Sequence, residues 1–237
     1  MKILVACEES QAVTIEFRKL GHEAYSCDIE PCSGGHPEWH FQEDVTPLLK
    51  QHWDMIIAHP PCTYLTNGGA VRMYPQKGIV DPKRLKKALK ARDFFMMFYN
   101  ADCERIAIEN PMPMKIVELP EKTQVIQPYE YGDPYSKKTY LWLKGLPNLK
   151  PTNILSEYQP FINGGGGRLN KPNYNGKEFA NGSRKRSKTF PGIAKAMAEQ
   201  WAGEKRKTKE DILHNYECYG QMELYDYPDV VPESMIR

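Results

Sequence analysis

Short apolar runs alternate with longer amphipathic stretches through the first half of the chain. Residues 2–6, 23–27, 53–58 and 105–108 are four such runs. Continuous runs of this length, without a period of two, predict strands buried on both faces. Between the first two, Val13, Ile15, Phe17 and Leu20 supply the apolar positions of a helix over 10–20, and Gly21 stands where helices commonly stop. A longer helix is predicted over 82–101, basic at its start and strongly apolar at Phe94, Phe95, Met97 and Phe98. Strands alternating with crossover helices predict a parallel sheet of the α/β class.

Further along, the texture changes. Residues 138–144 are β-rich, whereas 152–189 are polar and irregular and include four consecutive glycines at 164–167. A closing helix is predicted over 191–201, with Pro191 in its first turn. Beyond 203 the chain is charged and Tyr-rich, which predicts a surface helix and an extended end. The expected organisation is a core over 1–135 and an irregular segment completing the sheet over 136–188. The closing helix follows over 189–203, then a charged tail over 204–237.

Composition adds little except through its distribution. Of 237 residues, 41% are hydrophobic and 26% charged, which predicts a packed core rather than disorder. The net charge is only +2, but cations cluster at Lys83, Arg84, Lys86, Lys87, Lys90 and Arg92, and again at Arg184, Lys185, Arg186 and Lys188. A third cluster holds Lys205, Arg206, Lys207 and Lys209. The first residues lead directly into an apolar strand without a signal-peptide pattern, and no apolar run is long enough to cross a bilayer. A cytoplasmic monomer without membrane attachment is expected. The six cysteines have no paired spacing, so free thiols and no bound metal are expected.

In open parallel sheets, ligands sit beyond the carboxyl ends of the strands. Four reactive segments fall there: Cys7-Glu-Glu-Ser10, Asp28, His59-Pro-Pro-Cys62 and Glu109-Asn-Pro111. An acid at Asp28 can accept hydrogen bonds from ribose hydroxyls, and Asp44 can meet an adenine amino group. The glycine-rich phosphate fingerprint is missing from the first loop, where Glu8 and Glu9 would repel a pyrophosphate. That pattern favours S-adenosylmethionine, whose cationic groups tolerate carboxylates.

Pro60 and Pro61 stiffen the loop that carries Cys62. A held, solvent-facing thiol suits nucleophilic catalysis. A carboxyl at Glu109 could protonate ring nitrogen 3 of cytosine, making carbon 6 electrophilic toward a thiolate. Carbon 5 would then accept a methyl group.

These residues resemble the DNA cytosine-5 methyltransferase family, particularly its small phage-encoded members. Pro60-Pro61-Cys62 resembles the family's Pro-Cys motif, and Glu109-Asn110-Pro111 its Glu-Asn-Val motif with Pro replacing Val. The segment Lys137-Lys138-Thr139-Tyr140 resembles the motif whose basic residue steadies the flipped base, with Lys138 standing where Arg is usual. Residues 189–201 resemble the final motif, which returns to the cofactor. The resemblance implies a Rossmann-like S-adenosylmethionine-dependent methyltransferase fold with a small irregular subdomain. It implies Cys62 as nucleophile, Glu109 as acid, Asn110 as a loop-ordering residue and Lys138 as base-orienting. The implied cofactor contacts are Cys7, Glu8, Ser10, Gln11, Asp28, Ile29, Asp44, Val45, Pro60 and Phe190. DNA contacts would come from Arg168, Arg184, Lys185, Arg186 and Lys188.

Two departures stand out. The first loop lacks the family's Phe-x-Gly-x-Gly pattern. The recognition segment is also short, so a short or relaxed recognition sequence is expected. Alternatives are the same chemistry on a free cytosine nucleotide or single-stranded DNA, transfer of a modified one-carbon group, amine methylation, and an inactive DNA-binding homologue.

Overall fold

The computed structural model describes residues 1–161 and 188–203. Their centre is a seven-stranded sheet in the order β3-β2-β1-β4-β5-β8-β6. The strands are β1 (Lys2–Ala6), β2 (Glu23–Asp28), β3 (His40–Gln42), β4 (Met55–Ala58), β5 (Ile106–Pro111), β6 (Gln124–Ile126) and β8 (Thr139–Lys144). The first five are parallel, while β8 runs antiparallel to both of its neighbours. The order 3-2-1-4-5 is that of a doubly wound sheet, here extended by the reversed β8 and, beyond it, β6. A small parallel pair joins β7 (Tyr135–Ser136) to β9 (Gln159–Pro160).

Alternation along each strand builds two cores. Leu4, Ala6, Ile56, Ala58, Ile106, Ile108 and Trp142 face one side, covered by Phe95 and Phe98 of α3 (Pro82–Tyr99). Ile3, Val5, Met55, Ile57, Ala107 and Leu141 face the other. There they meet Val13 and Phe17 of α1 (Ala12–Lys19) and Ile193, Ala194, Met197 and Trp201 of α4 (Pro191–Trp201). Burial on both faces is why these strands read as unbroken apolar runs. A short α2 (Ala70–Met73) follows β4.

The expected strands and three helices are present with boundaries shifted by a few residues. β5 runs past its apolar stretch through Glu109 and Asn110, because β8 pairs with it as far as Pro111. The β-rich stretch at 138–144 is an interior strand of the main sheet. Residues Met1–Gly203 form one compact unit. The glycine run at 164–167, the basic residues 184–186 and the tail over 204–237 lie outside the described residues. Among the described residues, no helix is long and apolar enough to cross a membrane.

Candidate active site

The register of three parallel strands brings the reactive segments together. Ala6 pairs with Ala58, and Ala58 with Ile108. The next positions, His59 and Glu109, therefore sit side by side just past the end of β4. His59 Nδ1 lies 3.2 Å from Glu109 Oε2, and both side chains are nearly buried, at 8% and 12% exposure. One step further, Pro60 has no backbone donor and the ladder cannot continue. Instead, Asn110 Nδ2 donates to the Pro60 carbonyl at 2.8 Å, from a side chain in a residue only 1% exposed. Asn110 thus ties the end of β5 to the start of the cysteine loop.

That loop is held from several directions. The Cys62 carbonyl accepts from Leu65 N at 3.0 Å and Thr66 N at 3.2 Å, closing a turn. Met114 N donates to Leu65 O and Asn67 N to Met112 O, so the loop zips onto the segment that follows Glu109. Leu65 is fully buried as its anchor. Arg84 of α3 donates to Thr63 O at 3.0 Å and stacks over Tyr64. Cys62 itself is partly exposed, as are Cys7 and Cys32, whereas Cys27 and Cys103 are buried.

Burial acts to raise the Glu109 carboxyl, but the His59 hydrogen bond, the Lys137 ammonium and the His59 charge together hold it below the usual carboxylate range. The cation acting on Glu109 is Lys137, the neighbour of Lys138, which the motif resemblance makes base-orienting. Glu109 pairs with Leu141 on β8, and Lys137 lies in the segment just before that strand begins at Thr139. Lys137 also lies over the rings of Phe161 and Phe190, while Lys138 is exposed. His59 had been noted only as part of a reactive segment, and it has a direct partner in the carboxylate. Its Nε2 is buried without a hydrogen-bond partner, as is Asn110 Oδ1.

The first loop has its own geometry. Cys7 and Gln11 both adopt positive φ, 58° and 57°, although neither is glycine. Such positions normally favour glycine, so this loop makes its two left-handed turns at a cost the surrounding packing must offset. Gln11 is fully buried, donating to Ser26 Oγ and His36 O and accepting from His36 N. Its amide anchors the loop to β2 and to the 33–36 segment. Glu8 folds back onto α1, accepting from Val13 N at 2.7 Å, Thr14 N at 3.3 Å and Thr14 Oγ1 at 2.8 Å. Burial pushes its carboxyl up, opposed by His59 and by the same helix donors. Ser10 Oγ lies 3.5 Å from Ala12 N.

Asp28 accepts from Glu30 N at 2.9 Å, and the side chain of Ile29 beside it is 75% exposed. Asp44 accepts from Thr46 N at 2.7 Å, and the Thr46 hydroxyl, then that amide, lower its carboxyl. Burial, then Asp28, Cys27 and Asp44, push the Cys7 thiol far up, so all four groups share one electrostatic neighbourhood. Val45 is buried in the α3-side core, and Phe190 packs against Phe161 and Tyr135. Lys188 donates to Ser33 Oγ at 2.9 Å and lies 4.0 Å from Glu9, whose carboxylate also accepts from Ser33. It therefore braces the first loop. Arg168, Arg184, Lys185 and Arg186 lie outside the described residues.

No protein-family model matches the chain, and no curated protein matches it. Among solved structures it is similar to a candidate DNA modification methyltransferase encoded within an Escherichia coli prophage. Identity is 15%, the match covers 65% of this chain and 52% of that one, and the TM-score is 0.41. The match thus spans about half the length of that protein. With a superposition so loose, the α/β assignment rests on this chain's own strand order and register.

Proposed function

We propose that the protein transfers a methyl group from S-adenosylmethionine to carbon 5 of cytosine in DNA, through a covalent bond between Cys62 and the base. The observation that carries this reading is the joining of two strand ends. Asn110 holds the Pro60 carbonyl while its neighbour Glu109 meets His59, so a thiol loop and an acid share one edge of the sheet.

The residues fit a nucleoside cofactor without phosphates. A helix N-terminus is a ready anion site, but the first amides of α1 are already satisfied by the Glu8 carboxylate. Asp28 and Asp44 remain as acceptors for ribose hydroxyls and an adenine amine, with the exposed Ile29 beside them. Bound there, the cofactor would supply an electrophilic methyl group.

In this reading the Cys62 thiolate adds to carbon 6 as Glu109 delivers a proton to ring nitrogen 3. Carbon 5 becomes the nucleophile that receives the methyl group. Loss of the carbon-5 proton to a base and departure of the thiolate restore the aromatic ring, and ring nitrogen 3 returns its proton to the Glu109 carboxylate. Glu109 is ionised at rest, so it must first gain the proton it gives, and His59, when protonated, is the adjacent donor. Lys137 stabilises the carboxylate once that proton has left.

The test is trapping on duplex DNA of mixed sequence carrying 5-fluorocytosine, whose fluorine blocks the last elimination. Wild type with cofactor should form an adduct stable to denaturation, and Cys62→Ala should form none. Absence of an adduct with folded wild type would overturn the reading.

A further inference from the structure

The basic stripe of α3 has no role in the chemistry above, and it is arranged in a way that folding alone does not favour. From position 63 to 92 the chain carries eight Lys or Arg residues and one acid, Asp81, which leaves the rest of the chain net negative. Lys83, Lys86, Lys87 and Lys90 are spaced i, i+3, i+4, i+7 and are all exposed, so they form one face of the helix. Beside the stripe, Ala88 and Phe95 turn to another side of the helix and are buried.

Among the described residues, none of these four lysines has a carboxylate partner; the ion pair recorded on α3 joins Arg92 to Asp93. Like charges at these spacings destabilise a helix. Cations in a first turn also oppose the helix dipole, and this first turn contains no acid. Asp81 caps Arg84 N at 2.6 Å and offsets part of that cost. The stripe therefore persists against local stability.

Its location supplies a reason. Arg84, on the same turn, bonds to Thr63 O and lies over Tyr64, and Lys87 Nζ lies 5.5 Å from the centre of that ring. Gly69 leaves room for the Arg84 guanidinium, since a Cβ there would come within 2.5 Å of its Nη2. The start of the stripe is thus fastened to the two residues after Cys62. Lys83 to Lys90 spans about 10 Å at 1.5 Å per residue. Duplex DNA carries one charge per about 3.4 Å of each strand, so the stripe matches roughly three consecutive phosphates.

We infer that the Lys83–Lys86–Lys87–Lys90 face of α3 binds the phosphate backbone of duplex DNA and positions the strand across the Cys62 loop. This deepens the proposed function and rests on DNA being its substrate. It also supplies a backbone grip within the core, ahead of the short recognition segment. Phosphate contacts set register and affinity without reading sequence.

The experiment is a salt titration of full-length protein binding to a fluorescent duplex of mixed sequence. Each lost phosphate contact lowers the slope of log K against log salt by about 0.9. Lys86→Gln/Lys90→Gln should therefore reduce the slope by about 1.8, and the fourfold Gln variant, losing about three phosphates, by about 2.7. Lys50→Gln/Lys150→Gln, which removes two exposed cations elsewhere, should leave it nearly unchanged. Because like-charge repulsion is relieved, the stripe variants should melt no lower than wild type, which separates lost contact from misfolding. Equal slopes for the stripe and control variants would overturn the inference. If wild type fails to trap 5-fluorocytosine yet the stripe governs the slope, the chemical reading falls and this surface stands. Trapping with an unchanged slope means the reverse.

Discussion

At Glu109 two effects of opposite sign meet, and their balance sets how the acid can work. Burial favours the neutral carboxyl, whereas His59 at 3.2 Å and the Lys137 ammonium favour the anion and prevail. A depressed carboxylate contributes stability above its ordinary value near 4.5, lost as pH falls through its lower folded value. His59→Gln removes the imidazole and leaves burial less opposed. The Glu109 carboxyl should then keep its proton to higher pH, but the imidazole that resupplies that proton is gone, so single-turnover methylation at neutral pH should fall. The acid-side loss of folding stability should shrink in the same variant. Rates and urea midpoints measured across pH check both, and an unchanged single-turnover rate would remove His59 from the proton path. The sequence exposed His59 as part of the Pro-Pro-Cys segment, but its role depends on a neighbour fifty positions away. Lys137 and Lys138 are adjacent, identical residues ahead of β8, and no local pattern says which of them acts on Glu109.

At the level of elements, the β1–α1 loop shows how a glycine-poor sequence makes a turn that glycines usually make. Cys7 and Gln11 take positive φ, and the loop is held by Gln11 hydrogen bonds and by Glu8 acting as an acceptor for α1. Removing a helix-capping acceptor costs about 0.5–2 kcal/mol. Glu8→Ala should lower stability by about that amount, read as a shift in urea midpoint with unchanged slope. It should also free the amides of Val13 and Thr14, so inorganic phosphate should stabilise the variant more than wild type. Equal phosphate effects on the two proteins would show that Glu8 does not mask the helix end. The charges at Glu8 and Glu9 were legible as hostile to a pyrophosphate. That Glu8 acts by turning inward onto its own helix was not, because Gln11 stands at the N-cap position and its side chain makes no capping bond.

Across the whole molecule, α4 closes the face opposite α3, and its entry depends on one glycine. A Cβ at Gly192 would lie 2.0 Å from the Tyr131 carbonyl oxygen and 2.8 Å from Asp133 Oδ2, the atom that accepts from Gly192 N. Gly192→Ala must displace α4 or the 131–133 turn, and overpacking of this kind typically costs about 1–3 kcal/mol. Thermal melting should fall accordingly, and limited proteolysis should cut sooner near 188–203. An unchanged melting temperature would mean that the turn relaxes freely.

The amino-acid order by itself determined the buried strands, the main helices and the reactive segments at strand ends, because hydrophobic period and chain-breaking residues act locally. Three-residue strands β3 and β6 carry too few positions for such a pattern. The reversal of β8, the meeting of His59 with Glu109 and the choice of Lys137 were decided by tertiary structure. Strand order and register are set by which faces bury together, and that condition exists only when distant parts of the chain are packed at once.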